Sequence, residues 1–461
     1  MIPIYSRVAA IDDNEEHLQK IVWGLIKAGF CPVPFHFSDG RLEEPPSQPI
    51  DSIRIVFTDI HMVGGSMSQP ALHANNIINC LKKIVSNCPY ILIFWSQYPG
   101  DSEDIEAQIR ERATSAGLTL PIGYAAIDKN EVFRAAAIVG TDDGFDAEKL
   151  RGRILEVIGG FKTLGVAMSW EDRVARAANK TTNRLFDLVR GAEHPESTWE
   201  MLLAYLSAEA VGQKSARENL TNAFDQALLP LLEDQLYLIG DEPSSTTSDA
   251  ANLLRLISRG DLARPQSVPV SNLNASYLIE ETVVDKQTNS WARGMVSQLG
   301  PSFVNSGSFL SAFGCDAATL IRQEFATRAI EDVEYYQLKL HMVELGPECD
   351  HVQGKMSTQR YLLGLLVPKS LIGAMTSQGG KKISSPKYRN ESVMDIGRVA
   401  LRNSPNTEWH LLISTRCFMT LGPKGVIDSV PRFRLRHALL EEVGHRYITH
   451  ARRPGVMRFK D

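Results

Sequence analysis

The sequence predicts a doubly wound α/β domain on a five-stranded parallel sheet, then a helical section and a mixed α+β C-terminal domain. Three observations carry that reading. Short apolar runs alternate with amphipathic stretches up to about Gly160. The strand signal then stops between Met168 and Leu238. It returns beyond Gly260, where Leu338 to Leu345 alternates apolar and polar residues like a half-exposed strand. Boundaries at 1–160, 165–260 and 261–461 follow.

Arg7 to Ile11 reads as the first strand, ending in Asp12-Asp13-Asn14. Leu18, Ile21, Val22, Leu25 and Ile26 recur at helical spacing, and Gly29 stops that helix. A weak strand near Pro34 to Phe37 gives way to the proline-rich loop Glu44 to Pro49. Ile53 to Phe57 forms the third strand, with Thr58-Asp59 at its end and a turn at Gly64-Gly65. A helix through Ala74 to Leu81, a strand from Tyr90 to Trp95, a helix from Ser102 to Ala116 and a strand from Ile122 to Ile127 follow. Ala147 to Ile158 is the last helix of this region. Near-continuous apolar strands separated by helices imply a parallel sheet covered on both faces. Such sheets bind ligands beyond the carboxyl ends of their strands.

The next section reads as all-helical, with Pro230 expected to break a helix and Asp241 to Ser248 expected as a linker. Strands are expected at Tyr361 to Val367 and His410 to Ser414, a polar loop at Gly379 to Lys387, and a closing helix from Phe433 to Ala451.

Composition narrows the function classes. The chain has 461 residues, 43% of them apolar and 22% charged, which is ordinary globular composition. A net charge of −5 carries no general nucleic-acid signature. The six cysteines are scattered without a CxxC pair, as in a reducing compartment. The opening residues pass directly into a strand pattern without a signal-peptide layout, and no apolar run is long enough to span a membrane. A cytoplasmic location is expected.

The residues at the strand ends carry the chemistry. Strand one ends in Asp12 and Asp13, strand three in Asp59 and strand four in Ser96, while Lys129 follows strand five. In a doubly wound sheet these ends share one rim. Three crowded acids repel unless a cation sits among them. An all-oxygen ligand set suits Mg²⁺. A divalent ion beside a carboxylate, with an ammonium and a hydroxyl nearby, suits phosphoryl transfer to Asp59.

These features resemble the receiver domain of bacterial two-component response regulators. The resemblance covers about Ile4 to Gly160 and rests on AIDDN, VFTDIHM, IFWS and the lysine of AAIDKN. It implies a flavodoxin-like fold with Asp59 as phosphoacceptor. It implies Mg²⁺ held directly by Asp13 and Asp59, through water by Asp12, and by the backbone carbonyl of His61. It also implies Lys129 on the phosphoryl group, Ser96 as switch hydroxyl, and a histidine kinase or phosphotransfer protein as donor. Val63 and Asn130 stand where receivers usually carry proline. Ile127 stands where they carry the switch aromatic, with Tyr124 five residues before the lysine.

Downstream signals are weaker. Glu348-Cys349-Asp350-His351 follows a strand and reads as an extended turn with a buried thiol, so its side chains are not expected to share a metal. His437, Glu441 and His445 share one helix face, read as solvated and salt-bridged rather than zinc-binding. Leu435, Leu439, Val443 and Tyr447 form a stripe expected to face the core. From Arg432 to Lys460, seven arginines and one lysine face two glutamates, a local basic excess suited to nucleic acid or an acidic partner.

The leading expectation is a response-regulator-like protein passing phosphorylation at Asp59 to an uncommon C-terminal output. A phosphate sink or adaptor without effector activity is one alternative. A receiver-controlled effector enzyme or nucleic-acid binder, with activity in residues 261–461, is another. A homodimer is compatible with each.

Overall fold

The computed structural model describes residues 6–62, 70–132, 146–240, 251–258, 264–281, 292–353, 355–377, 387–422, 425 and 427–451. The Gly64-Gly65 turn, Val63, the linker 241–248, most of the polar loop 379–387 and the last ten residues lie outside them. The chain divides into two compact units, Met1–Leu185 with Leu231–Leu262, and Phe186–Pro230 with Ala263–Asp461. The helical section is shared between them.

The first unit is α/β. Its strands are β1 (Val8–Asp12), β2 (Pro32–Ser38), β3 (Arg41–Leu42), β4 (Ile55–Thr58), β5 (Ile91–Ser96) and β6 (Gly123–Asp128). They form one sheet in the order β3-β2-β1-β4-β5-β6. Five strands run parallel, and β3 is a short antiparallel edge paired to β2. The sheet is therefore mixed, with an edge strand the apolar pattern does not announce, because Arg41-Leu42 is only two residues long.

Alternation along the buried strands fills two layers. Ala9, Ile11, Val56, Leu92 and Phe94 face one core, shared with α2 (Pro70–Ile84) and α3 (Ser102–Arg112). Val8, Ala10, Phe57, Ile93 and Trp95 face the other, shared with α1 (Glu15–Lys27) and the helix Ala147–Gly160. Asn14 caps α1 by accepting a hydrogen bond from His17 N (3.1 Å). Gly29, at φ +92°, follows its last turn. The helix Lys162–Asp187 joins this unit through Arg54–Glu171 (2.7 Å) and Arg7–Asp172 (2.9 Å).

Pro230 does not break its helix. The helix Leu220–Gly240 runs through it. Proline removes one backbone donor and the rest of the ladder persists, with Pro230 on the exposed side.

The second unit is built on a seven-stranded antiparallel sheet, order β13-β14-β10-β9-β8-β15-β7. The strands are β7 (Ile279–Glu280), β8 (Met295–Leu299), β9 (Lys339–Glu344), β10 (Gln359–Pro368), β13 (Val393–Leu401), β14 (Ser404–Leu421) and β15 (Ser429–Leu435). A separate ribbon pairs β11 (Thr376–Ser377) with β12 (Lys387–Tyr388). The expected strands at 338–345, 361–367 and 410–414 are present; the first is trimmed to Lys339–Glu344, and the other two run longer than their apolar cores suggest.

Two expectations fail here. Phe433 to Leu435 is strand, and the terminal helix begins only at His437. The pattern Arg432-Phe433-Arg434-Leu435 has period two, so it belongs to the sheet. Glu348–Val352 is one helical turn rather than an extended segment, entered through Pro347, and Cys349 is exposed. Leu435, Leu439 and Val443 are buried in one core, with Tyr447 packed against it. Among the described residues no helix is long and apolar enough to cross a membrane.

Candidate functional site

Strand pairing assembles the site. β1 and β4 lie side by side with Ile11 opposite Thr58, so Asp12 and Asp59 stand at neighbouring carboxyl ends. On the other side β5 and β6 pair with Ser96 opposite Asp128, so Lys129 leaves the sheet one residue beyond Ser96's level. The Lys129 side chain crosses this gap, passing 5.8 Å from the Trp95 ring centroid. Its Nζ lies 2.7 Å from Asp12 Oδ2 and 2.7 Å from Asp59 Oδ2. His17 Nδ1, on α1, is 3.5 Å away.

Both Lys129 and Asp12 are fully buried, and Asp59 is 8% exposed. Buried charge needs partners, because desolvation outweighs most single attractions in a low dielectric. Carboxylate oxygens of Asp12, Asp13 and Asp59 lie within 4.8 Å of one another, with Asp13 partly exposed. With all three ionised, Lys129 leaves two negative charges uncompensated. Burial above all, together with the charge of Asp59, raises Asp12 to about 6 despite Lys129. Burial and then Asp59 also push Asp13 upward. A hard, all-oxygen, electron-rich group of this kind fits a small divalent cation.

Local hydrogen bonds hold each member. Asn14 N donates to Asp12 Oδ1 (3.0 Å), and Ile60 N to Asp59 Oδ1 (2.7 Å). Neither Asp12 nor Asp13 is the helix cap, since Asn14 takes that place. His36 bridges the Asp13 carbonyl (3.1 Å) and Glu43 Oε2 (3.0 Å). Both partners only accept, so both ring nitrogens donate, and the Glu43 bond raises His36 above its ordinary range. The β2–β3 hairpin thus pins the loop that carries Asp13. Asn130 fixes Lys129 from behind, its N–H donating to Asp128 Oδ1 (2.7 Å) and its Nδ2 to Gln97 O (2.7 Å).

No protein-family model, curated protein or solved structure matches this chain. What the site can do follows from its own donors and acceptors.

Ser96 is buried on the same rim and accepts a hydrogen bond from Tyr98 N (3.2 Å). The structure brings Asp12, Asp13, Asp59 and Lys129 together directly, with Ser96 beside them through strand register. His61 has a different setting. Its Nε2 pairs with Asp101 Oδ2 at 3.1 Å, and its ring meets His73 and Tyr98 edge-on at 4.7 and 5.2 Å. The side chain is thus committed to Asp101, leaving the backbone carbonyl for the ligand role expected of it. His73 is buried, neither of its ring nitrogens has a partner among the described residues, and burial lowers its pKa. The motif reading missed His17, His36 and His73, whose positions 17, 36 and 73 form no local pattern. Tyr124 stacks on Phe94 (6.3 Å) beneath the Arg110 guanidinium (4.6 Å).

Downstream, Glu348, His437 and Glu441 do approach one another. Arg293 sits among them, bonded to Glu441, 3.7 Å from Glu348 and 3.4 Å from His437 Nδ1. A guanidinium already supplies the positive charge there, and His445 is not part of the group. In the basic tail, Arg436 pairs with Glu280 and Arg446 with Glu442.

Proposed function

We propose that the first unit is a receiver-type phosphoacceptor domain in which Asp59 takes a phosphoryl group from a partner histidine kinase or phosphotransfer protein. The observation that carries this reading is Lys129 Nζ held 2.7 Å from both Asp12 and Asp59 at the carboxyl ends of parallel strands. Setting the short β3 aside, the order β2-β1-β4-β5-β6 corresponds to the 2-1-3-4-5 arrangement of flavodoxin-like sheets, whose ligands bind at this rim.

Asp12, Asp13 and Asp59, with the His61 carbonyl, would hold Mg²⁺. When bound, the ion neutralises phosphoryl oxygens and the acids that otherwise repel one another. The Asp59 carboxylate attacks phosphorus, an O–P bond forms, and the P–N bond to the donor imidazole breaks with protonation of the leaving nitrogen. Lys129 then transfers its attraction from the Asp59 carboxylate to the new phosphoryl oxygens. Ser96 supplies a hydroxyl within the rim for those oxygens, and its movement would change the β5 end and the Tyr98 segment. The expected setting is the cytoplasm, where such donors occur.

Beryllium fluoride, a stand-in for a phosphoryl group on a carboxylate, tests the reading. Wild type should bind it only with Mg²⁺, and Asp59→Asn should not bind it. Equal behaviour of the two proteins would refute the role given to Asp59.

A further inference from the structure

A second site lies in the C-terminal sheet, and it stands apart from the phosphoacceptor reading. The paired residues Lys339 and Leu366, His341 and Gln298, and Trp409 and Pro368 belong to neighbouring strands of one sheet. Directly paired residues project to the same face. On that face Lys339, His341, Leu366, Trp409 and Phe433, joined by Arg432 from the bulge between Pro431 and Phe433, line a cavity of about 400 Å³, within the range of small-molecule pockets.

The polar groups in it are poorly supplied. Among the described residues, His341 Nε2 and Trp409 Nε1 are buried without a hydrogen-bond partner. His341 is 1% exposed. Its Nδ1 lies 2.8 Å from the Lys339 carbonyl, which only accepts, so Nδ1 carries the proton and Nε2 is a bare acceptor. Burial, with Arg432 and Lys339 nearby, holds His341 down at about 4. Arg432 is oriented by Gln298 Oε1 through Nε (3.1 Å) and Nη2 (2.8 Å). Lys339 Nζ donates to the Tyr336 carbonyl (3.0 Å). Neither cation has a carboxylate within ion-pair distance among the described residues. The one acid in the lining, Glu281, accepts from Arg402 N (2.9 Å). Buried polar atoms are ordinarily satisfied, so two orphans beside two unneutralised cations describe a site shaped for something else.

We propose that this cavity binds a small ring-bearing organic anion, a carboxylate or a phosphate monoester, that also carries a hydroxyl. Arg432 and Lys339 take the oxyanion, as charge-assisted donors do. Trp409 Nε1 donates to it, and the indole, Leu366 and Phe433 cover the ring. The ligand hydroxyl donates to His341 Nε2. The C-terminal unit would then receive a chemical signal of its own.

Calorimetric titration of the full chain with 4-hydroxybenzoate and with 4-hydroxyphenyl phosphate tests this, and the two arms separate carboxylate from phosphate. At least one should bind saturably, with Kd of about 1 mM or tighter. Uncharged 4-hydroxybenzyl alcohol should not. Arg432→Gln and Trp409→Phe should each weaken binding, the first by about tenfold or more, the size of a charge-assisted bond. Should Arg432→Gln fail to fold, Lys339→Gln takes its place, with the same expectation. Absence of saturable binding by both anions, equal binding of the alcohol, or unchanged binding in the folded variants would overturn the proposal.

Discussion

Lys129 and Asp59 meet at 2.7 Å in a rim where the ammonium is wholly buried and the carboxylate nearly so. With Asp12 at the same distance, one lysine is shared by two acids and offsets only one of the three carboxylate charges. That arrangement is stable only as a set, and removing any member changes what the others can tolerate.

Lys129→Met should therefore act on both stability and chemistry. It strands Asp12 and Asp59 in a buried setting, and loss of one partner from a buried pair costs about 3–5 kcal/mol. Denaturant unfolding without metal should show a loss of that order, and Mg²⁺ should restore more stability to the variant than to wild type. Phosphoryl uptake should fall at least about tenfold, since one charge-assisted contact to the transferring group is gone.

The pH dependence follows from Asp12. Its folded value is raised, from 3.8 to about 6, chiefly by burial. The folded state then binds the proton more tightly than the unfolded chain. Unfolding free energy consequently falls as pH rises through that interval, by about 3 kcal/mol in total, and the stabilisation is complete below it. Asp12→Asn removes this slope. Denaturation at pH 4.5 and pH 7 without metal should show the variant gaining on wild type by about 2 kcal/mol at the higher pH. Because Mg²⁺ requires ionised carboxylates, its affinity for wild type should weaken as pH drops through about 6.

Asn130 offers a cleaner perturbation of position. Its two 2.7 Å hydrogen bonds hold the turn that presents Lys129. Asn130→Ala keeps the N–H bond to Asp128 and loses the tether to Gln97. The phosphorylation rate should drop about threefold to tenfold, as expected for one hydrogen bond, with Mg²⁺ affinity nearly unchanged. Stopped-flow measurement with a small phosphodonor separates the two effects.

In the C-terminal unit, Glu324 is a buried acid at the centre of a hydrogen-bond network. It is 1% exposed in the π-turn Ile321–Phe325. Its carboxylate accepts from Ser392 Oγ (2.7 Å), Ser414 Oγ (2.5 Å) and Asn390 Nδ2 (3.2 Å), and pairs with Arg416. Glu324→Ala orphans these donors and should destabilise this unit by about 3 kcal/mol, whereas Glu324→Gln should cost less. Unfolding followed by hydrogen exchange in β14 checks it.

The rim was legible in the sequence because buried parallel strands are continuous apolar runs, and a charged residue at the end of one stands out. Asp12 directly follows such a run, and Asp59 and Lys129 each stand one polar residue beyond the end of one. What surrounds them was not legible. His36 meets Asp13 through the parallel pairing of β2 with β1, and Glu43 meets His36 across a hairpin whose second strand is two residues long, while His73 arrives from the face of α2. In the C-terminal unit, strands hide behind charge. β15 contains Pro431 and two arginines, and reads as helix when judged with the stretch after it. Glu324 and its partners span positions 324 to 416 and meet only through long-range pairing.

The most direct test of the phosphoacceptor account is intact mass spectrometry of the full chain after incubation with phosphoramidate and Mg²⁺. It should show the addition of one phosphoryl group that hydroxylamine removes, and that is absent in Asp59→Asn and after chelation. Phosphoryl addition that persists in Asp59→Asn, or none in the wild-type protein, would contradict it.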